Sequence, residues 1–216
     1  MADQAVLATP GAAPHQRYGY TISHPYIMAT TKIILGFFCL IALFGSSSIE
    51  RHHLNNHDQD AAYQRIVAAA KKEVGTREAD VPNTGPKVSA YLRYTGIKTP
   101  AAWCAAWVSY VFGQAGYPEP KTAWSPGLFP ASRLVREAKP GMVLGIYYPS
   151  LKRIGHCGIV ESMTGDFVNS IEGNTSNSNE REGDGVMRKL RHRRSIRCYA
   201  DWVKGQSSRE EAANER

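Results

Sequence analysis

The pattern of apolar and polar residues divides the chain into a helical part followed by a strand-rich part. Residues 58–75 begin with an aspartate suited to cap a helix, continue with good helix formers and end in glycine. A second helix is predicted over residues 86–96, where apolar residues recur three and four positions apart. The segment AAWCAAWVSYVFGQAG, residues 101–116, predicts a third and strongly apolar helix that Gly113 and Gly116 end.

The start of this third helix decides the environment of the cysteine inside it. Thr99-Pro100 is a good cap and first-turn signal and favours an early start. The alternative is a start near Trp103, which puts Cys104 in the first turn. Only there do the free N–H groups of a helix N-terminus stabilise a thiolate. The sequence leaves both starts open.

The pattern changes after the third helix to short apolar runs separated by turn residues. Runs at 142–148, 156–162 and 166–171 have strand length, and the segment 186–202 has room for two more strands. The short spacing between turns favours antiparallel pairing. Helices first and strands second predict an α+β fold, with N-terminal helices packed on a C-terminal antiparallel β-sheet.

The N-terminal part of the 216-residue chain has the order of residues found in secretory signal peptides. Lys32 precedes an apolar run from Ile33 to Phe44, and small residues follow it. The run is shorter than the roughly 20 residues that span a membrane, and the alternative is an N-terminal membrane anchor. Because a signal peptide normally begins near the chain start, either Met28 is the true initiator or the leader is unusually long. We expect an exported protein, whether periplasmic, cell-wall-associated or extracellular.

These patterns predict four parts of the chain: a leader at 1–48, a polar linker at 49–58, a single domain at 59–203 and a polar tail at 204–216. The linker contains three histidines, which indicate either a solvated segment or a metal site. Composition is that of an ordinary globular protein, with 43% hydrophobic and 21% charged residues. The net charge of +7 permits nucleic acid, anionic lipid or anionic wall polymers as partners. No helix-turn-helix, RNP-like or zinc-finger spacing supports nucleic-acid binding.

The chain contains four cysteines, Cys39, Cys104, Cys157 and Cys198. Cleavage of the leader would remove the first and leave three, and an odd number in an exported protein indicates a free and reactive thiol. No CxxC pair is present, so zinc binding by cysteine has little support.

Residues with the chemistry of a cysteine hydrolase follow one another in a compact order. Such an enzyme needs a thiolate, a histidine that accepts and returns the proton, and a polar group that orients the histidine. His156 begins the run GHCGIVES, and Glu172 and Asn174 end the next run. Adjacent antiparallel strands would place His156 beside Glu172 or Asn174, and a packed helix would bring Cys104 to the imidazole. Each residue alone is more typical of a structural role, but the combination indicates catalysis.

The segments WCAAWVSYVF, KPGMVLGIYYP, GHCGIVES and IEGN together resemble the CHAP domain. This is the cysteine, histidine-dependent amidohydrolase/peptidase of cell-wall hydrolases, in the papain-like NlpC/P60 group. The resemblance covers about residues 60–203 and implies a papain-like fold and an exported peptidoglycan hydrolase that cleaves an amide bond of wall peptides. It implies Cys104 as nucleophile forming a thioester, His156 as general base and then acid, Glu172 as the group that orients the imidazole, and Asn174 as an assisting residue.

The resemblance also implies peptidoglycan as the partner and no requirement for a metal or organic cofactor. Nucleic acid is not expected, and a membrane contact is expected only through an N-terminal anchor. We expect Trp103, directly before the cysteine, to bind substrate. The basic run RKLRHRR, Arg188 to Arg194, is either a contact for anionic polymers or a solvated face. Neither the bond that is cut nor the oligomeric state is determined by the sequence.

Two positions depart from the CHAP pattern. Met142 stands where family members often have aspartate, and Cys157 stands where an apolar residue is usual. Because side chains alternate along a strand, Cys157 should point away from His156 and from the active site. Its alternative roles are core packing or pairing with Cys198, and Cys157→Ala should retain most activity. Pairing with Cys104 is less expected in an active site, because it would consume the nucleophile.

Two other functions compete with wall hydrolysis. A CHAP-like domain with an inactive site would bind wall peptides without cleaving them. A papain-like amidase or transferase would act on a substrate outside the wall. Digestion of wall material, followed by mass spectrometry, separates these three functions.

Overall fold

The computed structural model describes residues 58–177 and 183–206, together with Arg209 and Ala213. The predicted leader and nearly all of the linker, including its histidines, lie outside the described residues. Among the helices that are described, none has the length and apolar character needed to cross a membrane.

The three predicted helices are present in the described part of the chain. They are α1 at residues 58–73, α2 at Pro86–Tyr94 and α3 at Cys104–Gln114. Pro86 begins α2 at a position where a missing N–H costs nothing. Gly113, expected to end α3, lies inside it. A Cβ atom at Gly113 would lie only 2.3 Å from the hydroxyl oxygen of Tyr94, so this glycine permits close packing of α2 against α3.

Six antiparallel strands form one sheet in the order β1-β6-β2-β3-β4-β5. Five of them correspond to the predicted runs, whereas the two-residue edge strand β1 was not predicted. Helices precede the sheet in the chain, so the predicted α+β class is confirmed. The strands are β1 (Leu134–Val135), β2 (Val143–Tyr148), β3 (Arg153–Thr164), β4 (Phe167–Thr175), β5 (Gly185–His192) and β6 (Cys198–Ala200).

The two faces of the sheet belong to two different buried clusters. Alternate residues of a strand point to opposite faces, and each set joins its own cluster. Helix α3 packs against β3 and β4 and covers the first face. That face contributes Val143, Cys157, Ile159 and Ile171 to the cluster that also contains Cys104, Trp107 and Phe112. The other face contributes Leu144, Val160 and Val168 to a smaller cluster.

Candidate active site

Helix α3 begins at Cys104, with Trp103 as its N-terminal cap residue. Of the two starts left open by the sequence, the structure therefore has the later one, and Thr99-Pro100 lies outside the helix. The backbone N–H groups of a first helical turn have no partner within the helix. Together with the helix dipole, they favour a negative charge on the Cys104 sulfur.

The residue before the cysteine anchors the start of the helix. Trp103 is fully buried, its ring centroid lies 5.6 Å from that of Tyr91, and its indole N–H donates to Glu78 Oε1 at 2.6 Å. Glu78 Oε2 in turn accepts the backbone N–H of Asn83 at 2.7 Å. The expectation that Trp103 binds substrate is therefore corrected, because its side chain is enclosed in the core and fixes the position of Cys104.

His156 lies next to an irregularity in the pairing of β2 with β3. Ile146 pairs with His156, but Tyr147 pairs with Ile154, so Gly155 is an extra residue on β3. A bulge of this kind bends a strand and redirects the side chains beside it. The imidazole is buried, its Nε2 lies 2.8 Å from Glu172 Oε2, and the residue lines the same cleft as Cys104, which raises its pKa. The structure thus brings together the predicted cysteine, histidine and glutamate.

Glu172 is completely buried, yet its carboxylate has several hydrogen-bond donors. Arg191 Nε donates to Oε1 at 2.9 Å and Arg191 Nη2 donates to Oε2 at 2.6 Å. The hydroxyl of Ser170 donates to Oε1 at 2.7 Å. Burial opposes ionisation, but Arg191 and His156 outweigh it and lower the pKa of Glu172. Gly158 leaves space for the Glu172 side chain, because a Cβ atom at position 158 would lie only 2.5 Å from Glu172 Cγ.

Asn174 lies at the edge of the cleft that Cys104 and His156 also line. Its φ angle of 54° is in the left-handed region, which asparagine adopts more readily than most residues. Its side-chain amide donates to Asn83 Oδ1 at 3.3 Å, which links it to the loop that holds Trp103. The structure brings Asn174 to the cleft, and its assisting role stays a prediction.

The prediction for Cys157 is confirmed in part, because its side chain does not line the cleft but does influence Cys104. The alternation along β3 holds, but the face that receives Cys157 is the face covered by α3. Cys157 is therefore in the same buried cluster as Cys104, and each thiol shifts the pKa of the other. Ser125, which the sequence analysis did not identify, contacts Cys104, with its Oγ 3.4 Å from Cys104 Sγ.

The alternative of a Cys157–Cys198 disulfide is excluded by the sheet. The three cysteines in the described part of the chain are free. Gly145 on β2 pairs with Cys157 on one side and with Cys198 on the other, so the two cysteines lie two strand spacings apart. That separation is about 9–10 Å, whereas a disulfide requires Cα atoms within about 7 Å.

The environment lowers the pKa of Cys104 and raises the pKa of His156. Cys157 makes the largest contribution to a pKa of Cys104 well below its usual range, and His156 and Ser125 add to it against the opposing effect of burial. Burial also opposes the imidazolium form of His156, but its bonds to Cys104 and Glu172 prevail and raise its pKa to about 9. Both shifts favour the thiolate–imidazolium form of the pair over the neutral form.

A cleft of about 120 Å³ is lined by both Cys104 and His156. Arg153, on β3, supplies a positive charge at the cleft, and its guanidinium donates to the carbonyl of Ile154 at 3.0 Å. Within the described ranges, no cluster of three or more His, Cys, Asp or Glu side chains could hold a metal ion. The residues that line the cleft are Ala102, Cys104, Leu151, Arg153, Gly155, His156 and Asn174.

The sequence analysis did not identify Ser170 and Arg191 as partners of Glu172. Ser170 stands two residues before Glu172, so strand alternation alone puts both on one face. Arg191 lies inside the basic run that was interpreted as a polymer contact or a solvated face. Its contact with Glu172 depends on the register of β4 against β5, in which Val168 pairs with Arg191. That register is a tertiary property, and no local signal in the sequence specifies it.

Comparison of the chain with protein-family models, with curated proteins and with solved structures finds no match. The site itself contains a thiolate at a helix start, an imidazolium beside it and a buried carboxylate behind the imidazolium. Groups in this order are those that cysteine-dependent acyl transfer requires.

Proposed function

We propose that the protein is a cysteine-dependent hydrolase that cleaves an amide bond of peptidoglycan peptides. The observation that carries the proposal is the cleft shared by Cys104 and His156, with hydrogen bonds that continue from His156 through Glu172 to Arg191. A core cysteine would need neither an ionised partner nor access to the surface.

In the proposed mechanism each group has a defined role. Because Nε2 of His156 is bonded to Glu172, Nδ1 is the ring nitrogen left for the thiol. The thiolate of Cys104 attacks the amide carbonyl, and the resulting oxyanion is stabilised by the backbone N–H of Cys104 at the helix start. His156 then gives its proton to the leaving amine, which leaves a thioester on Cys104. Finally His156 removes a proton from water, which attacks the thioester and releases a carboxylate.

The choice of peptidoglycan as substrate depends on the resemblance to CHAP domains and on the form of the cleft. Its walls include the small residues Ala102 and Gly155, which leave room for an extended peptide backbone. Arg153 supplies a positive charge that suits a peptide with free carboxylates. Export is part of the proposal, because the signal-like leader would bring the enzyme to the wall.

The direct test is digestion of purified peptidoglycan, with the products identified by mass spectrometry. Hydrolysis creates one new amine and one new carboxylate at a defined bond. Release of such pairs supports the proposal, and intact wall material after prolonged incubation contradicts it. Parallel digestion of peptide amides unrelated to the wall tests the competing non-wall amidase function. Binding to the wall without any product would favour the inactive module.

The pH profile of kcat/KM is expected to be a broad bell. Activity should rise with pH as Cys104 ionises, and this rise lies well below the pH typical of a thiol because its pKa is lowered. It should fall around pH 9, where His156 loses the proton that the leaving amine needs. The alkylation rate of Cys104, followed by mass spectrometry, should rise on the same acid limb. One rise centred near the ordinary thiol pKa of about 8.5 would contradict a preformed ion pair.

Arg153 is expected to favour substrates that carry a carboxylate near the scissile bond. Arg153→Gln should raise KM about tenfold, the value of one charge-assisted hydrogen bond, with kcat little changed. The effect should vanish for a muropeptide whose carboxylates have been converted to carboxamides. Lys152→Gln is the matched control, since this neighbouring cation does not line the cleft. Equal losses on both substrates would show that Arg153 acts on folding and not on recognition.

A further inference from the structure

The buried thiol of Cys157 transfers no proton and forms no bond in the proposed hydrolytic mechanism, although it lowers the pKa of Cys104. It is fully buried and does not line the cleft, whereas Cys104 does. Both cysteines belong to the same buried cluster, where α3 packs on β3. The hydroxyl of Ser125 lies 3.4 Å from the Cys104 sulfur and lowers the pKa of both thiols. Two interacting cysteines in one buried cluster, only one of which lines the cleft, are the arrangement of a peroxidatic and a resolving cysteine.

We propose that Cys104 and Cys157 form a reversible disulfide on oxidation, which makes this pair a redox modification site of the protein. The bond would inactivate the enzyme, because it occupies the nucleophilic sulfur. It would also protect that sulfur, because a disulfide is reduced by thiols whereas sulfinic and sulfonic acids are not.

The oxidation takes two balanced steps with hydrogen peroxide as oxidant. The Cys104 thiolate attacks one peroxide oxygen, the O–O bond breaks, and sulfenic acid and hydroxide form. The sulfur of Cys157 then attacks the Cys104 sulfur and displaces the hydroxyl group. The proton of Cys157 leaves with that hydroxyl as water, and the S–S bond remains. Two equivalents of a small thiol reverse the result, forming their own disulfide and restoring both protein thiols.

The structure favours this order of events and this partner. The cleft of about 120 Å³ admits a molecule as small as peroxide to Cys104, while Cys157 behind it is shielded. The low thiol pKa that makes Cys104 a nucleophile also makes it the thiol that peroxide oxidises first. Among the cysteines in the described residues, Cys198 lies too far along the sheet to compete for Cys157. The chemistry needs only the Cys104 thiolate and is independent of the hydrolytic substrate.

The test uses the purified full-length chain treated with hydrogen peroxide, then alkylated and digested for peptide mapping. We expect a cross-linked pair of peptides containing Cys104 and Cys157, with the loss of two hydrogen atoms. Dithiothreitol should restore both free thiols. A Cys104 that proceeds to sulfinic acid without a cross-link, or a cross-link from Cys104 to any other cysteine, would overturn the proposal. This readout needs no enzymatic activity, so it remains valid if the protein proves not to hydrolyse amides.

Variants separate a resolving role from simple packing. In Cys157→Ala and Cys157→Ser, peroxide should drive Cys104 to irreversible acids, and the dithiothreitol-recoverable thiol should fall about tenfold below wild type. Cys198→Ala, which leaves the pair intact, should behave as wild type. Recovery is expressed relative to each variant's own untreated sample, so a change in folding alone does not imitate the effect. Full recovery of Cys104 in both Cys157 variants would contradict the proposal.

Discussion

Replacing Cys104 with alanine should abolish amide hydrolysis and leave the fold intact. Alanine keeps the helix start, because it is the best helix former and nearly fills the same volume. It removes the sulfur that becomes the acyl carrier, so no thioester forms. We expect kcat to fall by at least about 10⁴-fold, as for other enzymes that lose a covalent nucleophile. Product masses from digested peptidoglycan give the activity, and a thermal unfolding curve gives the stability.

Cys198→Ala is the matched control for this substitution. Cys198 is a half-buried cysteine on β6 and lies outside the cleft. Its replacement should leave the rate unchanged within about twofold, as expected for a residue without contact to substrate. Substantial hydrolysis by Cys104→Ala would overturn the assignment of the nucleophile. Loss of activity in both variants would indicate a general sensitivity of the fold to cysteine replacement.

The fold could be predicted to the level of its class because local signals mark most of its elements. Gly75 and Gly96 have φ angles of 91° and 85° and end the first two helices, as their positions in the sequence indicated. The strands β2, β3 and β4 have apolar runs of strand length. Strand β1 has only two residues, which is too short for any alternation to be visible. Its existence depends on pairing with β6, a contact distant in the sequence.

The start of α3 shows why the site was only partly predictable. Thr99-Pro100 is a valid local signal for a helix start, but the structure does not use it. The indole of Trp103 is instead bonded to Glu78, 25 residues earlier, and this contact holds the residue before Cys104 outside the helix. Tertiary contacts outweigh helix-start preferences of about 1 kcal/mol, so the sequence could list both starts but not choose between them.

The environment of Cys157 was only partly predictable for a similar reason. Alternation along a strand predicts that neighbouring side chains lie on opposite faces, but it does not say which face a helix covers. The face that receives Cys157 is the one covered by α3, in the cluster that also contains Cys104. The bulge at Gly155 adds to the difficulty, because it redirects His156 at the position next to Cys157. The influence of Cys157 on the pKa of Cys104 therefore depends on packing that the strand pattern does not show.

Glu172→Gln should reduce both activity and stability, because the carboxylate holds two cationic groups at once. The amide retains the volume but cannot balance the charges of Arg191 and His156. We expect the free energy of unfolding to fall by about 3 kcal/mol, which is the lower end of the range for a broken buried ion pair. The lower end applies because Arg191 is partly exposed and His156 can lose its proton. The pKa of His156 should fall from about 9, because burial is then opposed by Cys104 alone. Activity should fall about 10²- to 10⁴-fold, the share of general acid–base catalysis.

Glu161→Gln is the matched control, because Glu161 on β3 also binds an arginine of β5, with Arg188 Nε donating to Oε2 at 2.8 Å. That pair is exposed and should contribute at most about 1 kcal/mol. Because the pKa of Glu172 is lowered in the folded state, its stabilisation is present above the ordinary glutamate pKa of 4.5 and is lost as the pH falls below that value. Unfolding of wild type and of Glu161→Gln should therefore show an acid-dependent loss of stability that is much smaller in Glu172→Gln. An unchanged acid limb together with full activity in Glu172→Gln would mean that the carboxylate neither orients the imidazole nor holds its charge.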